Sequence, residues 1–220
     1  MERTDDMKKV SAEDFCKAFA EQWREELPIR QDDILRAYEH NKPWTEYMLA
    51  KKETPCEQSF LRRLATRLCP SLGMGREWYT LDAVYYEEQE DSYIYRPKGG
   101  GPYPDCLRVI VEHENGEDVE TEMWKLLMFR SPLKVLIFYD YRDDCKTTPK
   151  TKDWLDEKLR KLFEMGRKVK RACPEADNVE YLFIVGNRSE DGQTPRWRYC
   201  VVEGGGFERD GGDCLRSLVD

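Results

Sequence analysis

Leu133 to Tyr139 reads LKVLIFY, apolar at nearly every position, and the runs VIV at 109–111 and YLFIV at 181–185 are as unbroken. A strand with one wet face alternates apolar and polar residues, so runs without alternation belong to strands covered on both faces. The stretches between them have helical period. Glu117 to Arg130 places Val119, Met123, Leu126 and Leu127 on one face, and Ser131-Pro132 stops it. From about Thr151 to Cys173, Leu159, Leu162, Phe163 and Val169 do the same. Further strands are predicted in EWYTLDAVYY, in CLRVIVEHEN around the first run, in part of SYIYR, and in RWRYCVV. The order of helix, strands, helix, strand, helix, strand, strand defines an α/β fold, with a mixed central sheet flanked by helices.

The first seventy residues read as helical. Ser11 with Glu13 and Asp14 marks a helix start, and Phe15, Phe19, Trp23 and Leu27 recur at helical spacing until Pro28. A short helix follows Asp32 and Asp33, and a longer helical run covers Trp44 to Leu49 and Ser59 to Leu68, interrupted near Pro55. Cys69-Pro70 and Gly73 to Gly75 end it. Residues 1–72 are therefore expected as an N-terminal helical segment packed on an α/β core at 73–220. At 220 residues the two fit one compact domain.

Composition excludes several classes. No run approaches the roughly 18 apolar residues of a membrane span, and MERTDDMKKV lacks the apolar centre of a secretion signal. A mean hydropathy of −0.82 adds to the expectation of a cytoplasmic protein with no membrane contact. The eight cysteines are scattered, without a C-x-x-C pair and with only two histidines, so reduced and mostly buried thiols are expected rather than zinc or a disulfide scaffold. Gly99 to Gly101 and Gly204 to Gly206 lack the G-K-[ST] or G-x-G-x-x-G context of a phosphate loop and read as turns.

The chemistry concentrates in acids at strand positions. Asp82 sits inside the apolar run WYTLDAVYY, where a carboxylate is costly to bury without a partner. Glu112 and Glu114 close the run VIVEHEN, and alternation turns both to one face with His113 opposite. Two like charges on one face need a cation, a basic neighbour or water to relieve them. A helix bearing Glu120, Glu122 and Lys125 follows directly. If the two strands are neighbours, three carboxylates converge at one edge of the sheet as an oxygen-rich site for Mg2+ or Mn2+. Each residue also has a plainer reading: a solvated strand end for the E-x-E pair, a packing histidine for His113, an ion pair with Glu122 for Lys125. Trp124, Met123 and Leu127 read as core.

From roughly Trp44 to Asp140 this arrangement resembles the PD-(D/E)xK nuclease superfamily. The resemblance implies a restriction-endonuclease-like core in which Asp82 takes the place of the family Asp and Glu112 the first acidic position of (D/E)-x-K. Glu114 stands where that motif usually has Lys, which is a departure, and Lys125 on the following helix offers a second source for the lysine. Glu122 and Glu46 are possible accessory acids. The implied activity is metal-dependent phosphodiester hydrolysis, with Asp82, Glu112 and the backbone carbonyl of His113 holding the metal and Glu114 or Lys125 acting on the attacking water.

A formal charge of −8 does not describe a general nucleic-acid binder, which presents a positive face. Locally, though, Lys158, Arg160, Lys161, Arg167, Lys168, Lys170 and Arg171 stand against the single acid Glu164. They read first as the solvated side of an amphipathic helix and second, with Arg62, Arg63 and Arg67, as contacts to a nucleic-acid backbone, DNA being favoured over RNA. A homodimer or a partner protein could supply positive surface that the chain lacks. The competing expectation is a catalytically inactive nuclease-fold protein that serves as a binding or regulatory module.

Overall fold

The computed structural model describes residues 9–38, 40–50, 59–78, 80–87, 107–140, 154–173, 178–188, 195–203, 206–208 and 214–219. Helices α1 (Ala12–Tyr38), α2 (Asn41–Leu49) and α3 (Phe60–Leu68) come first, then strands β1 (Leu72–Trp78), β2 (Leu81–Glu87) and β3 (Leu107–His113). Helix α4 (Val119–Met128) leads to β4 (Leu133–Asp140), and α5 (Trp154–Ala172) to β5 (Glu180–Arg188) and β6 (Pro195–Glu203). A short 3-10 turn at Gly206–Glu208 and β7 (Arg216–Ser217) follow.

The seven strands form one mixed sheet in chain order, β1 to β7. β3, β4 and β5 are parallel, joined through α4 and α5, and the other neighbours are antiparallel. The unbroken runs are unbroken because every residue of β4 is buried. Its odd-numbered residues Val135, Ile137 and Tyr139 pack under α1, α2 and α3. Leu136 and Phe138 pack under α4 and α5. The fold is thus three layers, helices on both faces of a sheet.

Local chemistry explains the element ends. The Ser11 hydroxyl accepts from the Asp14 amide at 3.0 Å while the Asp14 carboxylate accepts from the Ser11 hydroxyl at 2.8 Å, a reciprocal cap on α1. α1 consists of two helical runs joined by a kink at Arg30 (φ −123°, ψ 19°), so the break expected at Pro28 falls two residues later and the short helix expected after Asp32 and Asp33 is its second run. EWYTLDAVYY is not one strand but the hairpin of β1 and β2. Trp78 pairs with Leu81, and Thr80 in the turn takes φ 72°. β1 begins at Leu72, so Gly73 and Gly75 lie within the strand rather than ending a helix. SYIYR, Gly99 to Gly101 and Gly204–Gly205 lie outside the described residues.

The cysteine expectation needs correction. Cys200 on β6 is disulfide-bonded to Cys214, a link between the last long strand and the C-terminal segment that spacing alone could not assign. Cys16, Cys69 and Cys173 are free thiols; Cys16 is buried, and burial pushes it up to about 12. Trp124 also departs from expectation: it is 50% exposed while its neighbours Met123 and Leu127 are buried.

Candidate metal centre

The hairpin and the parallel pair place the acids. Ala83 pairs with Val111 across the antiparallel β2–β3 ladder, so Asp82 falls opposite Glu112. Both lie on the face covered by α4 and α5, because Ile110 and Val84, two residues away on each strand, belong to that core. From α4, which enters right after β3, Glu122 and Lys125 reach back to the same point one turn apart. Carboxylate oxygens of Asp82, Glu112 and Glu122 lie within 4.8 Å of one another.

Lys125 Nζ stands 3.4 Å from Glu112 Oε2 and makes a closer contact with Glu122 Oε2. Asp82 Oδ2 accepts from the His113 backbone amide at 2.8 Å. Glu112 is fully buried, and its other oxygen, Oε1, has no hydrogen-bond donor. The neighbouring Asp82 and Glu122 carboxylates are acceptors when ionised. With all three acids ionised beside one ammonium the cluster would carry two excess negative charges, so either a proton or a cation must stand among them.

The electrostatics agree. Burial first, then the Glu122 and Asp82 carboxylates, push Glu112 up to about 10, against the opposing pull of Lys125. Burial raises Asp82 as well, partly offset by the His113 amide. For Lys125, burial works to lower the pKa, but the hydrogen bond and charge of Glu122 and the charge of Glu112 outweigh it and raise the value. A proton on Glu112 would relieve this charge in the absence of a cation. Three carboxylates gathered within 4.8 Å, one with an oxygen that meets no donor, have the oxygen chemistry that suits a hard divalent ion such as Mg2+ or Mn2+.

Glu114 is not part of this group. β3 ends at His113, alternation ends with it, and the Glu114 carboxylate turns to accept the Gly116 amide of its own loop. Burial raises its pKa, and the Gly116 amide opposes the rise. Glu122, read from sequence as an accessory acid, occupies the place expected of Glu114. Glu46 lies on α2, in the helical layer on the other face of the sheet, and is not among the acids that converge. His113 points to that other layer too. Its Nε2 lies 2.7 Å from the Tyr139 hydroxyl, which accepts from Trp44 Nε1 at 2.5 Å, and burial pushes the imidazole down to about 3.

The basic residues divide. On α3, Arg62 donates to the Leu72 carbonyl, Arg63 pairs with Glu26 at 2.7 Å and Arg67 pairs with Glu25, so these three serve the N-terminal layer. On α5, Lys158 is held by the Glu117 carbonyl at 2.9 Å and by Glu120 at 2.5 Å. Lys170 lies over the Tyr181 and Phe207 rings. Lys161 and Lys168 form i,i+4 pairs with Glu157 and Glu164 in open solvent, and Arg160 and Arg171 are exposed. Exposed pairs of this kind contribute little to stability and yield readily to another anion. A cavity of about 510 Å³ lies elsewhere, between α1, α3 and the first strands. Its walls include Arg67 and Arg108, both engaged by acids, and none of the converging carboxylates.

Compared with protein-family models and with curated proteins, the chain matches none. Fold and site together define an α/β protein with a seven-stranded mixed sheet and a carboxylate–lysine cluster formed by β2, the carboxyl end of β3 and α4. Among the described residues no helix is long and apolar enough to cross a membrane.

Proposed function

We propose that the chain is a metal-dependent nuclease with a restriction-endonuclease-like core that hydrolyses phosphodiester bonds in DNA. The observation that carries this reading is the buried Glu112 carboxylate, one oxygen of which meets no donor, gathered with Asp82 and Glu122, with Lys125 supplied from the next helix. Asp82 and Glu112, with Glu122 and the His113 carbonyl, would hold Mg2+ or Mn2+. Such an ion, when bound, lowers the pKa of a water and offsets charge at the attacked phosphate.

The chain's own groups do the rest. The raised pKa of Lys125 keeps it an ammonium, which cannot accept a proton; its role is to orient the attacking water and to face the negative charge that develops on the phosphate. A carboxylate of the cluster is left as proton acceptor. The His113 amide fixes Asp82, so the rigid β2–β3 ladder sets the geometry. The exposed cations of α5 serve the nucleic-acid backbone through contacts that weaken steeply with salt.

The test is cleavage of plasmid and single-stranded DNA by the purified protein with magnesium, then manganese, beside Asp82→Ala and Glu112→Ala. Cleavage that both substitutions abolish is expected. No cleavage, together with no metal-induced rise in melting temperature, would transfer the reading to an inactive nuclease-fold binding module.

A further inference from the structure

Of the three large apolar side chains exposed among the described residues, two are neighbours on one helix: Trp124 and Met128 on α4, 50% and 53% exposed. Successive residues of a helix lie about 100° apart around its axis, and the underside of α4 is Val119, Met123, Leu126 and Leu127, all buried. One flank then carries Glu122 and Lys125, which reach the acid cluster. The other carries Glu120, Trp124 and Met128. On that second flank Glu120 pairs with Lys158 of α5, so Trp124 stands where α4 borders α5.

The two helices run the same way, because each returns the chain between neighbouring parallel strands. One turn beyond Glu120 and Lys158 they present Trp124 and Lys161 at the same level, both exposed. Glu120 is held by Lys158, and Lys161 by the solvated Glu157 in a pair that yields readily to another anion. Lys125 is 23% exposed, so solvent reaches the acid cluster along the first flank. From there to Trp124 is one helix width, about 10 Å.

We infer that Trp124 is a stacking platform for a base of a single-stranded nucleic acid that crosses α4 between the acid cluster and the cations of α5. An indole face stacks on any base, and the ammonium beside it meets a phosphate of the same strand. Met128, one turn on, widens the apolar surface. The α5 cations lie on the far flank of α4 from the acids, so a strand that engages both has to pass Trp124. At a stacked spacing of about 3.4 Å per nucleotide, one helix width puts the base on Trp124 about three nucleotides from the cut phosphate. Bases inside a duplex have both faces covered by their own stack, so the platform selects unpaired DNA.

This inference rests on the reading of the acid cluster as a nucleic-acid site, and the experiment separates the two. Anisotropy of a fluorescein-labelled oligothymidylate, and of the same strand with its central positions abasic, is measured in EDTA at low salt for wild type, Trp124→Ala and Trp124→Phe. Magnesium-dependent cleavage is followed in parallel. Trp124→Ala is expected to bind the intact strand about tenfold more weakly and the abasic strand as wild type does, with the dependence on salt unchanged. Trp124→Phe should keep most of the affinity, and melting temperatures check that both variants fold. If Trp124→Ala binds the intact strand like wild type, or weakens both strands equally, while cleavage proceeds, the platform is overturned and the nuclease reading stands. Loss confined to the intact strand without any cleavage upholds the platform and overturns the nuclease. No binding by wild type overturns the platform, and with no cleavage the nuclease as well. Size exclusion of the free protein covers the other occupant: a wild-type dimer that Trp124→Ala dissociates would assign the patch to a second copy and overturn the platform.

Discussion

Lys125 Nζ lies 3.4 Å from the buried Glu112 carboxyl and closer still to Glu122, so one ammonium from α4 bridges the two acids. Lys125→Met should therefore destabilise the metal-free protein. A fully buried pair that loses one partner costs about 3–5 kcal/mol, and the water still reaching Lys125 reduces this to about 1–2 kcal/mol. Urea denaturation in EDTA measures it. Saturating magnesium should restore much of the loss, whereas cleavage should stay impaired; full activity in the variant would remove Lys125 from the mechanism.

The Glu112 proton makes stability depend on pH. Its folded pKa, about 10, lies above its ordinary 4.5, so the folded state binds the extra proton between those values. The stabilisation is fully present below pH 4.5 and is lost as pH rises toward 10. Metal-free protein should accordingly melt at progressively lower temperature from pH 6 to pH 9. Magnesium, which replaces the proton, should stabilise more at the higher pH. Glu112→Gln should flatten the profile and abolish the magnesium effect. A flat wild-type profile in EDTA would show that Glu112 is ionised after all.

The acid side belongs to His113. Its imidazole is held down to about 3 from 6.5 by burial, so the folded state resists a proton that the unfolded chain accepts. Its contribution is present above pH 6.5 and lost as pH falls toward 3, at up to about 1.4 kcal/mol per pH unit. His113→Phe should lessen the fall in melting temperature between pH 6.5 and 4 and leave the alkaline limb unchanged. A melting profile identical to wild type below pH 6.5 would contradict this.

Gly186 on β5 is a packing constraint. A Cβ there would lie 2.7 Å from Trp197 Cζ3 and 2.8 Å from the Tyr139 ring, both locked among the aromatic side chains under α1 and α2. Gly186→Ala should cost about 1–3 kcal/mol by overpacking. It points away from the acids, so the magnesium dependence of whatever protein remains folded should be unaltered. Chemical denaturation with and without magnesium separates the two effects.

Lys161 and Lys168 sit in exposed pairs with Glu157 and Glu164. Changing both to Gln should leave stability almost unchanged. If α5 contacts the phosphate backbone, the same change should lower the slope of log affinity against log salt by about one per residue. An unchanged slope would remove α5 from the interface.

The sequence showed the layering because the evidence for it is local: an unbroken LKVLIFY has to be covered on both faces, and α4 and α5 announce their period. Asp82 and Glu112 were legible for the same reason, as acids in apolar strands. Glu114 was misplaced because alternation was carried one residue beyond the strand, where the Gly116 amide captures its carboxylate. Glu122 was underweighted because its place depends on how α4 docks, a tertiary fact with no sequence period. The hairpin within EWYTLDAVYY is marked by no glycine or asparagine; Thr80 takes the positive φ instead. The Cys200–Cys214 link, and the Asp140–Arg198 pair across two strands, join residues whose separation carries no signal.

Because the strands lie side by side in chain order, each newly made strand can pair with the one before it. Asp82, Glu112, Glu122 and Lys125 all precede the end of α4 at Met128, so every side chain of the acid cluster has been synthesised before β4. A growing chain therefore carries its concentrated negative charge early, on a half-built sheet whose β3 edge is still open. The acids of the cluster and the lysine that faces them thus come from one contiguous half of the chain, and β4 has only to cover what that half already holds.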